Sequence, residues 1–472
     1  MNSKTINPTK TVAIAAFAAF LATFNETFMN VGFTAIMNDL GVNVSTVQWL
    51  ATAYMLGAAV MVPVSAFVYR KIPTKPLFLC TVVLLGVGSV VGALAHDFSI
   101  LLLGRIIQSL GTGLLIPIGM NITLEVAPKE KLGSYMGLMG AMTTLGPSLS
   151  VILAGILLSL GPWNNLLWFF GALCLFLFIL ALMNLKNIAH LTNPKLDALS
   201  VSLVGLALVG ILYGVSTVFS GSKLIAAIFA GVGIISMIFF VLRQSKLAEP
   251  LINLKPLKVK AFATGVIINM LSLIIIFAMN IVTPIYVQAM GASAMSASMI
   301  LFPAILLSCV IAPLAGRYYD KHGAKVLLPA GFALIALFCI ALAFAKDLNA
   351  LWVLALLYIP VICGSALIIG PIQSFALSRL SFELNPHGVT VMSTGFQIAG
   401  CVGSSIFTGV YGLILSNRMA VNHDALVASG TGFFVVSILA AICAFIGFIF
   451  SLTLKKYENE KNAIIVFQEA LR

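Results

Sequence analysis

Glu26 is an ionisable acid inside an apolar run that reads TVAIAAFAAFLATFNETFMNVGFTAIM from Thr11 to Met37. The run is long enough to cross a bilayer. A charge at that depth costs ~2.5–3.5 kcal/mol on insertion scales, so such residues mark function by default. The chemistry open to a carboxyl there is to take up and release a proton. Arg105 is the other charge expected deep in an apolar run. At about 1.5 Å per residue, Glu26 lies ~16 Å and Arg105 ~9 Å from the outer ends of their helices. Both side chains are long enough to close that gap. Two readings follow: a proton or substrate path, or a static ion pair holding two helices together. Desolvation offsets much of the attraction in a buried pair. Burial and a neighbouring cation act in opposite senses on a carboxyl. A change in Arg105 proximity or water access would therefore load or release a proton. A proton and a cation that share one carboxylate exclude each other, which is sufficient for exchange.

Other polar groups sit in the same apolar runs. Asn25, Asn30, Gln48, Gln108 and Asn121 fall in the first half, and Asn269, Asn280, Gln288, Gln373 and Gln397 in the second. Taken singly, each reads as an interhelical hydrogen bond of ~0.6 kcal/mol. Together they are able to line a cavity. Asn30 follows Glu26 by four residues and is expected on the same helix face. Trp49 and Tyr54 read equally as pocket walls or interface anchors. No G-x-x-x-x-G-K-[ST] occurs, so no P-loop ATP site is expected. No Ser/His/Asp, Cys/His or metal-ligand constellation appears, and an enzyme is not expected. The cysteines (Cys80, Cys174, Cys309, Cys339, Cys363, Cys401, Cys443) all lie in apolar segments without a CxxC pair, as packing residues.

The elements that must position these groups are membrane helices. Of 472 residues, 61% are hydrophobic and 8% charged, with a mean hydropathy of +1.11. Soluble domains carry about 25% charged residues. The net charge of +12 is scattered in short clusters between apolar runs, which suits loops facing anionic lipid better than nucleic acid. The first run is too long and too polar at Asn25 and Glu26 for a signal peptide. Fourteen runs reach spanning length: 11–37, 46–69, 77–95, 99–126, 132–160, 165–186, 198–219, 223–242, 261–289, 295–319, 326–345, 350–379, 389–415 and 430–454. With both ends on the inner side, 22 of the 26 Lys and Arg fall inside and Lys223, Lys346 and Arg418 outside, with Arg105 left in the membrane. That asymmetry supports the count and predicts cytoplasmic termini.

The segment YRKIPTK (Tyr69–Lys75) returns as YDKHGAK (Tyr319–Lys325), each after an apolar helix. The repeat predicts two six-helix bundles with a helix pair inserted between them, the plan of secondary transporters. The expected division is 1–190, 191–250, 251–454 and an inner tail at 455–472. The tail AIIVFQEALR (Ala463–Arg472) is mildly amphipathic.

These segments together resemble the major facilitator superfamily, in its fourteen-helix drug:proton antiporter branch. FNETFMNVGF (Phe24–Phe33) is similar to the branch's first-helix signature. Trp49, Thr52, Tyr54 and Leu56 match W-x-x-T-x-Y-x-L, and Arg105, Gln108, Gly111 and Gly113 match R-x-x-Q-x-x-G-x-G. Gly133, Gly146 and Pro147 resemble the fifth-helix antiporter motif. Gly316, Asp320, Lys321, Gly323 and Lys325 match G-x-x-x-D-K-x-G-x-K, and EPLINLKPL (Glu249–Leu257) matches a segment before the ninth helix. There are departures. Ser65 and Tyr69 replace the glycine and acid of the first loop copy. Ser109 follows the glutamine. Met142, Ser150 and Val151 replace glycines, and PWNNLLW (Pro162–Trp168) lacks an arginine.

The resemblance implies an all-α polytopic protein in the plasma membrane, with two bundles related by a pseudo-two-fold axis. It implies proton-driven efflux of hydrophobic, often cationic molecules by a bacterial monomer, without cofactor, ATP or nucleic acid. Glu26 and Arg105 would couple protons, and Glu26, Asn25, Asn30, Trp49, Tyr54 and Gln108 would face substrate. Gly146, Pro147, Gly316, Asp320, Lys321, Gly323 and Lys325 would gate. The Gly146-Pro147 step predicts a kink, or close packing around Gly133, Gly137 and Gly140. Asp320 with the two lysines reads as a charge lock or a solvated turn. The alternatives are a proton-coupled carrier of one metabolite, a channel, or a sensor. A channel would favour rings of pore charges, and a sensor a soluble signalling domain.

Overall fold

The computed structural model describes residues 7–192, 194–219, 222–247, 249–348, 350–422 and 424–470. Lys4, His423 and the side chains of 455–472, including the amphipathic tail, lie outside the described residues. Among the described residues there is no strand. Fourteen helices are long and apolar enough to span: α1 Pro8–Leu40, α2 Trp49–Lys71, α3 Thr74–Ala93, α4 Phe98–Val126, α5 Lys129–Leu160, α6 Asn164–Asn184 and α7 Ala198–Thr217. They continue as α8 Lys223–Lys246, α9 Lys260–Ala289, α10 Phe302–His322, α11 Leu327–Phe344, α12 Leu351–Leu377, α13 Phe382–Met419 and α14 Ala425–Leu454. The all-helical, fourteen-span expectation is met.

Helix starts follow local chemistry. Asn7 caps α1 through Lys10 N at 3.2 Å, with Pro8 in the first turn. Asp97 caps α4 through Ile100 N at 3.0 Å. Both supply a side-chain oxygen to an amide that the helix leaves unbonded. The tenth span begins at Phe302 rather than 295, because the short helix Ala294–Met299 ends before Pro303 opens the next one. Within α1 a 3-10 turn, Met29–Gly32, separates two α-helical segments. In α12 the α-helix breaks at Leu367 and Ile368, four and three residues before Pro371, which has no N–H to continue the ladder.

The described chain forms two compact units. Unit one holds 1–128, 142–254 and 383–397; unit two holds 129–141, 255–382 and 398–472. These do not follow the linear boundaries at 190 and 250. The inserted pair α7–α8 belongs to unit one, where α7 packs on α2. Asp197 before α7 receives Arg243 of α8 at 2.7 and 3.0 Å.

In unit one, α1 is the most enclosed of the spans. Its alanines Ala15, Ala16, Ala18, Ala19 and Ala22 let neighbours approach closely, the usual basis of helix packing in lipid. The α3–α4 crossing is tighter still. A Cβ on Gly88 would lie 2.6 Å from Gly104 O and 2.6 Å from Gln108 Cγ. That crossing sets the seat of Gln108 against α3.

Candidate functional site

Glu26 lies in the regular α-helix Pro8–Phe28, half-buried, and makes no hydrogen bond among the described residues. Arg105, on α4, is 1% exposed. The two do not form an ion pair within 4.0 Å; they act on each other only at longer range. The static-pair reading therefore does not describe this conformation.

Arg105 is held instead by neutral groups from three helices. Its Nη1 donates to Gln108 Oε1 at 2.9 Å, to Asn25 Oδ1 at 3.2 Å and to Asn25 O at 3.3 Å. Its Nε donates to Leu50 O at 3.4 Å. The guanidinium lies over the Tyr54 ring, 4.0 Å from its centroid. Cation–π contact of this kind strengthens when desolvated. Nη2 is buried with no hydrogen-bond partner. The result is a buried cation surrounded by acceptors and dipoles, with one donor unengaged.

A second tier supports those acceptors. Asn25 Nδ2 donates to Tyr54 Oη at 3.2 Å, and Tyr54 Oη and Thr112 Oγ1 lie 2.6 Å apart. Gln108 Nε2 donates to Ser89 Oγ at 2.8 Å. Asn25, Tyr54 and Gln108 are thus fully buried and engaged around Arg105. Ser89 and Thr112 escaped sequence reading, since a lone hydroxyl in an apolar helix normally bonds its own backbone.

The remaining candidates separate from this cluster. Asn30 falls in the 3-10 turn and is exposed, because the tighter winding ends the four-residue register with Glu26. Trp49 is 45% exposed and stacks on Tyr213 at 6.3 Å, as an aromatic anchor would. Gly146 is pressed against α1, where a Cβ would meet Phe24 N at 2.7 Å. Next to it, Thr27 Oγ1 and Ser150 Oγ lie 2.7 Å apart, and Ser150 donates to Pro147 O at 2.6 Å. Close packing and the proline thus coincide in the α1–α5 seam beside Glu26.

In unit two, Asp320 caps the first turn of α5. Its Oδ1 accepts from Gly133 N at 2.6 Å, and its Oδ2 from Ser134 N at 3.0 Å and Ser134 Oγ at 2.9 Å. A carboxylate at a helix N-terminus is favoured by the unbonded amides and the macrodipole. Lys321 is exposed, so the acid works on backbone amides rather than on that lysine. Gly316 makes the approach possible: a Cβ there would stand 2.1 Å from Gly133 O. Gly323 ends α10 at φ 75°, with its amide bonded to Tyr319 O. Lys325 is half-buried just beyond. In unit one, Ser65 and Tyr69 take the places of Gly316 and Asp320. Ser65 Oγ lies 3.2 Å from Thr390 Oγ1.

Residues 15–404 match the family model described as Major Facilitator Superfamily. Lincomycin resistance protein LmrB of Bacillus subtilis (strain 168) is 29% identical over 92% of this chain and 93% of its own. Riboflavin transporter RibZ of Clostridioides difficile (strain 630) is 24% identical over 92% of this chain and 95% of its own. Among solved structures, the proton:xylose symporter XylE bound to 6-bromo-6-deoxy-D-glucose aligns with a TM-score of 0.63 at 14% identity, covering 92% of this chain and 94% of that one. At that identity the likeness is one of fold.

Proposed function

Because this chain belongs to the Major Facilitator Superfamily, a family of transporters rather than enzymes, we propose that it exports hydrophobic, often cationic small molecules in exchange for protons. The observation that carries this reading is Glu26, a spanning-helix carboxyl without a hydrogen bond next to the Arg105 cluster. The lincomycin resistance relative supports export of a drug-like molecule.

The mechanism rests on competition for one carboxylate. Arg105 is clamped by Asn25, Gln108 and Leu50 and keeps Nη2 unpaired. An ionised Glu26 that turns towards Nη2 gains a charge-assisted hydrogen bond. A proton or a cationic substrate on Glu26 removes the reason for that contact. The two occupants exclude each other, so alternating exposure of Glu26 to the two sides exchanges them. The proton gradient drives the cycle, with neither ATP nor a cofactor. Both termini lie on the cytoplasmic side of a bacterial plasma membrane, each two-bundle monomer working alone. The α10 cap on α5 and the Gly146-Pro147 seam serve as moving parts.

The test is ethidium transport into proteoliposomes under an imposed pH gradient. Wild type should accumulate dye only with the gradient, and Glu26→Gln should not. Equal gradient-dependent transport by Glu26→Gln would end the carboxylate mechanism. A second reading, a carrier of one metabolite, is favoured by the riboflavin transporter relative. It predicts that ethidium is not moved, while proton coupling still depends on Glu26.

A further inference from the structure

We infer that Ser89, on α3, is a positioning residue for Arg105, acting through the Gln108 amide. The guanidinium has donors only. Gln108 must therefore turn its carbonyl oxygen, not its NH2 group, towards Arg105, and it does so at 2.9 Å. That choice leaves Gln108 Nε2 pointing into a fully buried site, where an unpaired donor is costly. Ser89 Oγ accepts it at 2.8 Å.

The Ser89 hydroxyl is itself oriented. Its proton goes to Leu85 O at 3.0 Å, so its lone pairs face Gln108. The chain runs in one direction: Arg105 donates to Gln108, Gln108 to Ser89, and Ser89 to the backbone of α3. Reversing the Gln108 amide would set N–H against N–H at Arg105. It would also require Ser89 to abandon Leu85. Asn25 is arranged alike, with its oxygen on Arg105 and its Nδ2 on Tyr54 Oη. Two amide–hydroxyl pairs thus fix the guanidinium and leave Nη2 as the unpaired donor. The glycine contact between α3 and α4 brings Ser89 within reach. Gly88 lies directly over Gln108 Cγ and Gly104 O.

The consequence for pumping rests on the proposed role of Arg105; the positioning itself does not. Selective nitrogen-15 labelling of arginine in lipid nanodiscs reads the Arg105 guanidinium directly, with its signals identified through Arg105→Lys. Wild type should give separate, slowly exchanging Nη–H signals. Ser89→Ala should collapse or shift them, and should move the pH profile of gradient-driven ethidium transport. In a Gln108→Glu background either carboxylate oxygen accepts from Arg105, so adding Ser89→Ala should change nothing further. If Ser89→Ala does not fold, Ser89→Cys, near in size and a weaker acceptor, is read by the same criteria. Unchanged Arg105 signals in the Ser89 variant would overturn the inference. So would a change that persists in the Gln108→Glu background, since that would be helix packing alone. If the signals respond as expected but wild type moves no proton-coupled ethidium, the positioning stands and the transport reading falls.

Discussion

Arg105 is more informative than the acid that first draws attention. Its buried charge is balanced by oriented dipoles and a ring, not by a carboxylate in contact. Hydrogen bonds to a charged group contribute about 1.5–3 kcal/mol each. Gln108→Ala should therefore lower stability by about that amount, read as a drop in thermal unfolding temperature in detergent. An unchanged melting profile would mean that water or Glu26 replaces the amide. The sequence made Glu26, Arg105, Asn25, Tyr54 and Gln108 visible because polar groups in apolar runs stand out. It did not show that three of them, Asn25, Tyr54 and Gln108, gather on Arg105. That depends on helix rotation, which near-uniform hydropathy hides. Ser89 carried no signal at all.

At the level of elements, the best-defined polar contact in unit two is α10 on the start of α5. Asp320 satisfies two amides and a hydroxyl there. Asp320→Ala should cost about 0.5–2 kcal/mol, the range for a lost N-cap, and Asp320→Asn less, since it keeps an acceptor. Thermal melts of the two variants check this; equal losses would show that charge, not acceptance, matters. Helix number and approximate ends were legible, because a bilayer demands long apolar runs. The 3-10 turn at Met29–Gly32 and the break at Leu367 were not, since hydropathy is blind to backbone winding. Pro371 was the available clue to the latter.

Over the whole molecule, the two units are alike in plan and unlike in chemistry. Unit one holds the charged Arg105–Asn25 contact, whereas in unit two Tyr358 Oη donates to Asn280 Oδ1, a contact between neutral groups. The acid cap lies in unit two, while unit one has Tyr69 at that place. The inserted pair is fastened by Asp197, just before α7, and Arg243, in the last turn of α8. Hydrogen bonds from Arg243 hold the Asp197 carboxyl down to about 2, below its usual range. A depressed carboxyl stabilises fully above its ordinary value near ~3.9 and loses that contribution as pH falls through the depressed one. Wild type should therefore lose thermal stability on acidification across that window more than Asp197→Asn does. Parallel pH dependence in the two would remove the pair from the stability of α7 and α8.

The most direct measurement of the shared-carboxylate claim is proton release from purified protein in weakly buffered detergent when ethidium is added. Wild type should release protons on binding, and Glu26→Gln should release none. Ethidium binding by wild type without proton release, or equal release by Glu26→Gln, would contradict it.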